Sequence, residues 1–79
     1  MHMRDTTYII GEWLEQKRNE KGLSLQEAAD GFGYSKSAIH TWEKGKRAIP
    51  SVTLINYSFF LGADLNELTA LVKKEHGAI

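Results

Sequence analysis

The glycines of this chain, together with its one proline, divide it into short segments and so limit the folds that it can adopt. Four glycines each follow a short stretch in which apolar residues recur at helical spacing: Gly22, Gly33, Gly45 and Gly62. Alternation of apolar and polar residues, which would predict strands, is absent. The sequence therefore predicts an all-α chain of five short helices joined by tight turns.

Residues that favour helix starts precede the first two of these stretches. The first helix is predicted over residues 7–21, with Thr6 or Thr7 as its N-cap. The second helix is predicted to begin after Ser24, because Ser24 and Glu27 form the Ser-x-x-Glu pattern of a capping box. Local signals therefore mark where both helices begin.

The next two helices are bounded in the same way. Ser35 is the predicted N-cap of a third helix over residues 36–44. Pro50 suits the first turn of a fourth helix, which is predicted to run to about residue 61. The second and third helices are thus separated by a short turn, as in a helix-turn-helix.

The fifth predicted helix carries an apolar stripe. Asp64 is predicted to start it, with Glu67 three residues later in the same capping pattern. Its stripe consists of Leu65, Leu68, Leu71 and Val72. Trp13 of the first helix is expected to pack against this fifth helix.

Length and composition indicate a single domain without covalent cross-links. The chain has 79 residues and no cysteine, which excludes disulfides and thiolate metal ligands and favours a reducing compartment, the cytoplasm. No apolar run approaches the roughly 20 residues that a membrane span needs, and the N-terminus has no secretory apolar region. We therefore expect one cytoplasmic domain over residues 7–76, with residues 1–6 and 77–79 as tails.

Charge is balanced over the whole chain but not along it. Ten Lys and Arg residues match ten Asp and Glu residues, so the net charge is zero, which disfavours binding of nucleic acid by bulk charge. Residues 33–50, however, carry a net charge of +3, because Glu43 is accompanied by four basic residues: Lys36, Lys44, Lys46 and Arg47. The positive charge is therefore concentrated around the predicted third helix.

An ordered set of residues in this chain is similar to that of a known family. The set runs through Leu23-Ser24, Glu27, Ala29, Gly33, Ser35, Ile39, Trp42-Glu43, Gly45-Lys46-Arg47, Leu61-Gly62 and Leu65. In its order and intervals it resembles the Xre-type helix-turn-helix domains of the lambdoid phage repressors and Cro, over about residues 8–72. The resemblance implies a compact five-helix, lambda-repressor-like DNA-binding domain in which the second and third helices form a central helix-turn-helix.

The resemblance implies that the third helix contacts the bases of DNA. Ile39 is expected to anchor it to the core, so that its opposite face presents the base-contacting residues: Lys36, Ser37, His40 and Thr41. Lys36 can donate to guanine O6 and N7, and the two hydroxyls can bond to either base type. Because the helix has no Arg, Gln or Asn for the usual bidentate base contacts, we expect modest specificity. The alternative is an ordinary solvated helix face.

Contacts to DNA phosphates are expected from five residues: Ser24, Ser35, Lys44, Lys46 and Arg47. The serines stand at helix N-termini, whose backbone N–H groups favour anions, and the basic residues flank the third helix. The alternative for the basic residues is an ordinary solvated loop. The family commonly has Gln at the first position of the second helix, where this chain has Leu25, so one polar contact is lost here.

Arg18 and Glu43 match positions that form an ion pair in some members of the family. Arginine suits such a pair, because its planar guanidinium can donate two hydrogen bonds to one carboxylate. The pair would tie the first helix to the end of the third and hold Arg18 near the DNA backbone. The alternative is two independent surface charges.

Domains that read DNA with one small helix usually bind palindromic sites as dimers. The fourth helix offers a candidate dimer interface, which consists of Val52, Asn56, Phe59 and Phe60. Val52 and Phe59 stand at positions that are usually polar and exposed in the family, so apolar residues there predict burial by a second copy. The alternative is a core stripe that is rotated slightly from the family average.

These features predict a transcriptional regulator that binds double-stranded DNA in a sequence-specific manner. We expect a repressor that inserts residues 35–44 into the major groove of a palindromic operator as a homodimer. The alternative function is a protein-interaction module, such as an antitoxin-type domain with weak or no DNA binding. The neutral net charge and Leu25 favour this alternative.

Catalysis is not expected. His2, His40 and His76 show no metal-ligand spacing, and no carboxylate–histidine arrangement recurs around them. The chain is also too small to enclose a substrate pocket around an exposed helix. The sequence therefore indicates no catalytic residue, metal, cofactor, membrane contact or small-molecule ligand.

Overall fold

The computed structural model describes residues 5–77, and within this range it contains five α-helices and no strand. The helices are α1 (Thr6–Glu20), α2 (Leu25–Phe32), α3 (Lys36–Glu43), α4 (Ser51–Leu61) and α5 (Leu65–Gly77). The predicted all-α, five-helix fold is therefore confirmed. Residues 1–4 and 78–79, which belong to the predicted tails, lie outside the described range.

The predicted caps of the two central helices are formed. Ser24 Oγ accepts a hydrogen bond from Glu27 N at 3.0 Å, and the Glu27 carboxylate accepts one from Ser24 N at 2.8 Å, which completes the capping box. These hydrogen bonds lower the pKa of Glu27 below its usual value. Ser35 Oγ likewise accepts from Ala38 N at 3.0 Å. α2 and α3 therefore begin where the sequence predicts.

Two other helices start differently from the prediction. α1 is capped by Asp5 rather than by Thr6 or Thr7, because the Asp5 carboxylate accepts a hydrogen bond from Thr7 N at 2.8 Å. A carboxylate also interacts favourably with the positive end of the helix dipole. Pro50 was predicted within the first turn of α4, but its ψ of 144° makes it the N-cap, one residue before the helix.

The start of α5 is tied to α1 and lacks a full capping box. Asp64 Oδ1 accepts a hydrogen bond from Asn66 N at 2.9 Å, as its position predicts. Glu67 instead turns towards α1, where it pairs with Lys17 and accepts from Trp13 Nε1 at 3.0 Å. The ammonium of Lys17 and then the Trp13 N–H lower the pKa of Glu67, while Glu67 raises that of Lys17. Trp13 is buried, and its hydrogen bond to Glu67 shows that it contacts α5 as expected.

The turn between α2 and α3 depends on Gly33, which has a φ of 85°. Only glycine adopts this left-handed conformation without strain. The conformation allows Gly33 N and Tyr34 N to donate hydrogen bonds to Ala29 O, at 2.9 and 3.3 Å. The ring of Tyr34 stacks on that of Phe32, with centroids 5.1 Å apart, and lies 5.2 Å from the ring of Trp42 in α3. The turn is thus held by backbone hydrogen bonds and by an aromatic cluster that the sequence did not predict.

α3 packs against α1 at unusually short range. A Cβ atom at Gly11 of α1 would lie 2.2 Å from Trp42 O and 2.7 Å from Glu43 O, at the end of α3. Real Cβ atoms do not approach backbone oxygens so closely, so only glycine permits this packing. Gly11, to which the sequence assigned no role, therefore sets the distance between α1 and the end of α3.

We expect Gly11→Ala to lower the free energy of unfolding by about 2 kcal/mol, because the added methyl group cannot fit against the backbone of α3. Equilibrium denaturation in urea measures this change. Gly77→Ala is the matched control, since a Cβ atom at Gly77 would lie 3.7 Å from Lys73 Cγ, which is an ordinary contact. Equal stability of Gly11→Ala and the wild type would contradict the close approach of the two helices.

Candidate nucleic-acid interface

α3 has one buried side and one exposed side. Ile39, Trp42 and Glu43 are 0%, 6% and 4% exposed and face the interior. The four residues predicted to contact bases share the opposite side, called here the α3 face: Lys36, Ser37, His40 and Thr41. The first three are exposed and the fourth is half-buried. The structure thus groups these four residues on one outward surface.

The hydroxyl of Thr41 can form fewer kinds of hydrogen bond with a base than the sequence suggests. It donates a hydrogen bond to Ser37 O, one turn earlier in α3, at 2.8 Å. Because its proton is engaged there, the Thr41 hydroxyl offers only acceptor lone pairs to a base. It therefore matches the amino groups of adenine and cytosine, which are the donors of the major groove.

Two shallow grooves border the α3 face. Leu25, the first residue of α2, lines one of them together with Lys36, Ser37 and His40. The other lies between α3 and the loop that leads to α4, and Arg47 is part of its lining. The α3 face is thus flanked by an apolar residue from α2 and by a basic residue from the loop.

Both serines that are predicted to contact phosphate cap a helix. Ser24 and Ser35 each accept a hydrogen bond from a backbone N–H group, so their own hydroxyl protons can still be donated to a phosphate oxygen. Both residues are exposed. They stand at the N-termini of α2 and α3, where the helix dipole also favours an anion.

The three basic residues that are predicted to contact phosphate have different surroundings. Lys44 Nζ lies 3.4 Å from Glu15 Oε2 of α1 in a partly exposed ion pair. Such pairs are typically worth at most about 1 kcal/mol, so a phosphate can compete for Lys44. Lys46 and Arg47 are exposed, and neither pairs with a carboxylate within residues 5–77. These two side chains can therefore contact a phosphate without giving up a carboxylate partner.

Arg18 and Glu43 form a buried ion pair between α1 and the last residue of α3. Arg18 Nε donates to Glu43 Oε2 at 2.6 Å, and Arg18 Nη2 donates to Glu43 Oε1 at 2.9 Å. Arg18 Nη1 donates to Leu23 O, just before α2, at 2.8 Å. Glu43 raises the pKa of Arg18 above its usual value. Because Arg18 and Glu43 are only 7% and 4% exposed, they form one interior pair and are not two independent surface charges.

The hydroxyl of Tyr57 lies close enough to this ion pair to be affected by its charges. Tyr57 is fully buried, and its hydroxyl has no hydrogen-bond partner among the residues that the structure describes. Burial, reinforced by the charge of Glu43, raises the pKa of Tyr57 to about 12. Tyr57 therefore stays neutral at physiological pH and adds no charge to the Arg18–Glu43 pair.

α4 carries an exposed apolar stripe, called here the α4 stripe, which consists of Val52, Ile55 and Phe59. These side chains are 72%, 54% and 87% exposed. Asn56 is also exposed. Ile55 was not among the residues predicted for a dimer interface, although its spacing from Val52 and Phe59 is helical and could have revealed it.

Phe60, the fourth residue predicted for the dimer interface, is less exposed than Val52, Asn56 and Phe59. It is half-buried and packs against the core. Its ring lies 5.6 Å from that of Phe32 and is stacked 6.1 Å from that of Tyr57. One residue along a helix is a rotation of about 100°, which turns Phe60 away from its neighbour Phe59 and towards the interior.

The fold and this surface define the class of protein. The helix-turn-helix family matches residues 14–68, more than half of the chain, so the chain belongs to this family. It is of the Xre type, as the resemblance to lambda repressor and Cro implied. Proteins of this class bind double-stranded DNA and regulate transcription. No curated protein matches the chain significantly in sequence.

The solved structures that are similar to this one include two of the same protein. Both are structures of the clp gene regulator ClgR from Corynebacterium glutamicum, with 22% sequence identity and a TM-score of 0.82. One comparison covers 92% of this chain and 78% of the ClgR chain, and the other covers 94% and 95%. At this level of identity the similarity shows that the two proteins share the fold.

No helix within residues 5–77 has the length and apolar character that crossing a bilayer requires. The same range also contains no group of three or more His, Asp, Glu or Cys side chains that could hold a metal ion.

We expect Glu43→Leu to lower the free energy of unfolding by about 3–5 kcal/mol, because it leaves the buried Arg18 guanidinium without its partner. The double variant Arg18→Met/Glu43→Leu should recover a large part of this loss, since it removes both charges and keeps apolar volume. Urea denaturation measures both changes. A double variant that is no more stable than Glu43→Leu would argue against an uncompensated charge as the cause.

The partly exposed pair of Lys44 and Glu15 provides the control for this experiment. Glu15→Leu removes a carboxylate of the same type from an ion pair that solvent already screens. Its effect on the free energy of unfolding should stay below about 1 kcal/mol.

Proposed function

We propose that this protein is a sequence-specific transcriptional repressor that inserts α3 into the major groove of a palindromic operator as a homodimer. The observation that carries the proposal is the α3 face, where four polar side chains lie together on the outward side of a helix. A buried ion pair anchors the same helix to α1. A helix held in this way presents its side chains to base edges in a fixed orientation. Occupation of an operator would exclude other proteins from that DNA.

Base contacts follow from the hydrogen-bonding capacity of each side chain on the α3 face. Lys36 donates to guanine O6 and N7, and Ser37 can donate or accept. Thr41, whose proton is engaged within α3, accepts from adenine or cytosine amino groups. His40 contacts a base or a phosphate. Because none of these contacts is a bidentate one from Arg, Gln or Asn, DNA shape is expected to contribute to specificity.

Phosphate contacts would fix the position of α3 in the groove. Lys46 and Arg47 are proposed as the main contacts, because both are exposed and neither has a carboxylate partner among the described residues. Ser24 and Ser35 would donate their hydroxyl protons at two helix N-termini. Lys44 would exchange its partner Glu15 for a phosphate. The net charge of zero does not oppose these contacts, because the basic residues cluster around α3.

The α4 stripe, with Asn56 beside it, is proposed as the dimer interface. α4 contains no Asp, Glu, Lys, Arg or His residue, so two copies can bring this helix together without burying a charge. A symmetric dimer buries the same patch of both copies, which an uncharged apolar stripe allows. Two α3 helices would then read half-sites about 34–36 Å apart.

A protein-interaction module of the antitoxin type is the second candidate function. The α4 stripe is the observation that favours it, since an exposed apolar patch can also bind a different protein. In that case binding to DNA would be weak or absent.

Binding to duplex DNA tests the proposed function. A site selected from random duplexes should be bound with an affinity that falls with salt, as expected when several counterions are released. Lys36→Ala should cost about 1–3 kcal/mol on this site and less on random DNA, because it removes a base contact. Arg47→Ala should weaken binding to both DNAs equally, because it removes a phosphate contact.

Lys74→Ala is the control for both variants, because it removes one exposed lysine from α5 and should leave both affinities unchanged. Equal losses for Lys36→Ala on the two DNAs would refute its role in base reading. No measurable binding of the wild type at low salt would favour the protein-interaction module.

We expect Phe59→Asp to convert the dimer into a monomer, because it places a charge in a proposed interface that has none. Sedimentation equilibrium should give about twice the chain mass of 8.9 kDa for the wild type and one chain mass for the variant. Phe59 is 87% exposed, so its replacement should leave the fold intact. Asn66→Asp adds the same charge to the exposed start of α5 and should stay dimeric. A wild type that sediments as a monomer would refute the dimer.

A further inference from the structure

The groove between α2 and the α3 face contains one wholly apolar side chain. Leu25 lines this groove with Lys36, Ser37 and His40, which are three of the four residues of the α3 face. Leu25 is half-buried and packs against the core, so it is held in place while part of its surface remains open to the groove. An apolar surface is thus exposed among the side chains that are proposed to read bases.

The chemistry of the major groove restricts what such a surface can recognise. Base edges display hydrogen-bond donors and acceptors there, and the apolar group among them is the C5-methyl group of thymine. A leucine cannot satisfy a donor or an acceptor, and covering one without replacing its hydrogen bond costs free energy. Leu25 therefore matches a C5-methyl group and no other feature of a base edge.

The rest of the α3 face leaves room for such a contact. Its polar side chains are short or flexible, and none can make the bidentate contacts of Arg, Gln or Asn. The methyl group of Thr41 lies on the same helix, but Thr41 does not line the groove that Leu25 forms. Leu25 is therefore the side chain that can add apolar discrimination at this edge of the interface.

We infer that Leu25 is a specificity-determining residue that contacts the C5-methyl group of a pyrimidine in the major groove, which is thymine in unmodified DNA. Because it requires α3 to enter that groove, this role of Leu25 rests on the proposed function. Leu25 then supplies specificity at the position where the family commonly has a polar residue. The same contact would favour 5-methylcytosine over cytosine, since the two pyrimidines carry the same methyl group.

Removal of single methyl groups from the DNA tests this role of Leu25. The 79-residue chain is bound to its selected site, in which each thymine of one half-site is replaced in turn by deoxyuridine. Replacement of the thymine at one position should weaken binding about fourfold, because burial of one methyl group strengthens binding by about that factor. Replacement of the same thymine in both half-sites should weaken binding about 15-fold. With cytosine at that position, 5-methylation should strengthen binding by the same factor.

Two matched variants assign the effect to Leu25. Leu25→Ala should bind the thymine and uracil duplexes equally, because the apolar contact is gone. Leu65→Ala should keep the fourfold preference for thymine. Leu65 matches Leu25 in three respects: it is the first residue of its helix, it is half-buried and it packs against the core. It lies in α5, however, and not beside the α3 face. Circular dichroism shows whether both variants are folded.

The possible failures are distinguishable. If no thymine of the selected site shows a methyl effect, or if Leu25→Ala keeps the preference, the role of Leu25 is refuted while DNA binding stands. The absence of a methyl effect is expected if the groove binds a side chain of a protein partner and not a base of DNA. If the wild type shows no salt-dependent binding to any duplex, the proposed function and the role of Leu25 are refuted together.

Discussion

A buried contact between α1 and the end of α3 fixes the position of the helix that carries the proposed interface. Arg18 and Glu43 are almost completely removed from water, and such a pair persists only when its charged groups keep their hydrogen bonds. The guanidinium meets this condition with two bonds to the carboxylate and one to Leu23 O. Gly11 lets the helices approach closely enough. Because α3 carries the proposed interface, the pair that joins α1 to the end of α3 also orients the surface that would meet DNA.

A chain without net charge can still have separate surfaces for two kinds of partner. Basic side chains cluster around α3, whereas α4 carries no charged side chain and exposes apolar ones. Zero net charge provides little long-range attraction to DNA, so affinity has to come from local contacts. The pair of Lys44 with Glu15 illustrates this balance, because it holds a cation beside α3 that a phosphate can recruit.

Two differences between the sequence-based prediction and the structure arise from helix packing. The spacing of Asp64 and Glu67 predicts a local capping role for Glu67, but its carboxylate binds Trp13 and Lys17 of α1. Phe60 is predicted to be part of the dimer interface with Phe59, but its ring packs against the core and lies 5.6 Å from that of Phe32 in α2. In both cases the side chain contacts another helix, and no pattern of neighbouring residues contains that information.

The five helices, the left-handed turn at Gly33 and the concentration of basic residues around α3 follow from the amino-acid sequence alone. Each of these features depends on residues only a few positions apart, so spacing and residue type are sufficient to predict it. Three contacts become visible only in the folded protein: Gly11 meets the α3 backbone, Tyr34 stacks on Phe32 beside α3, and Leu25 borders the α3 face. These contacts depend on how closely and at what angle whole helices pack, which local sequence patterns do not specify.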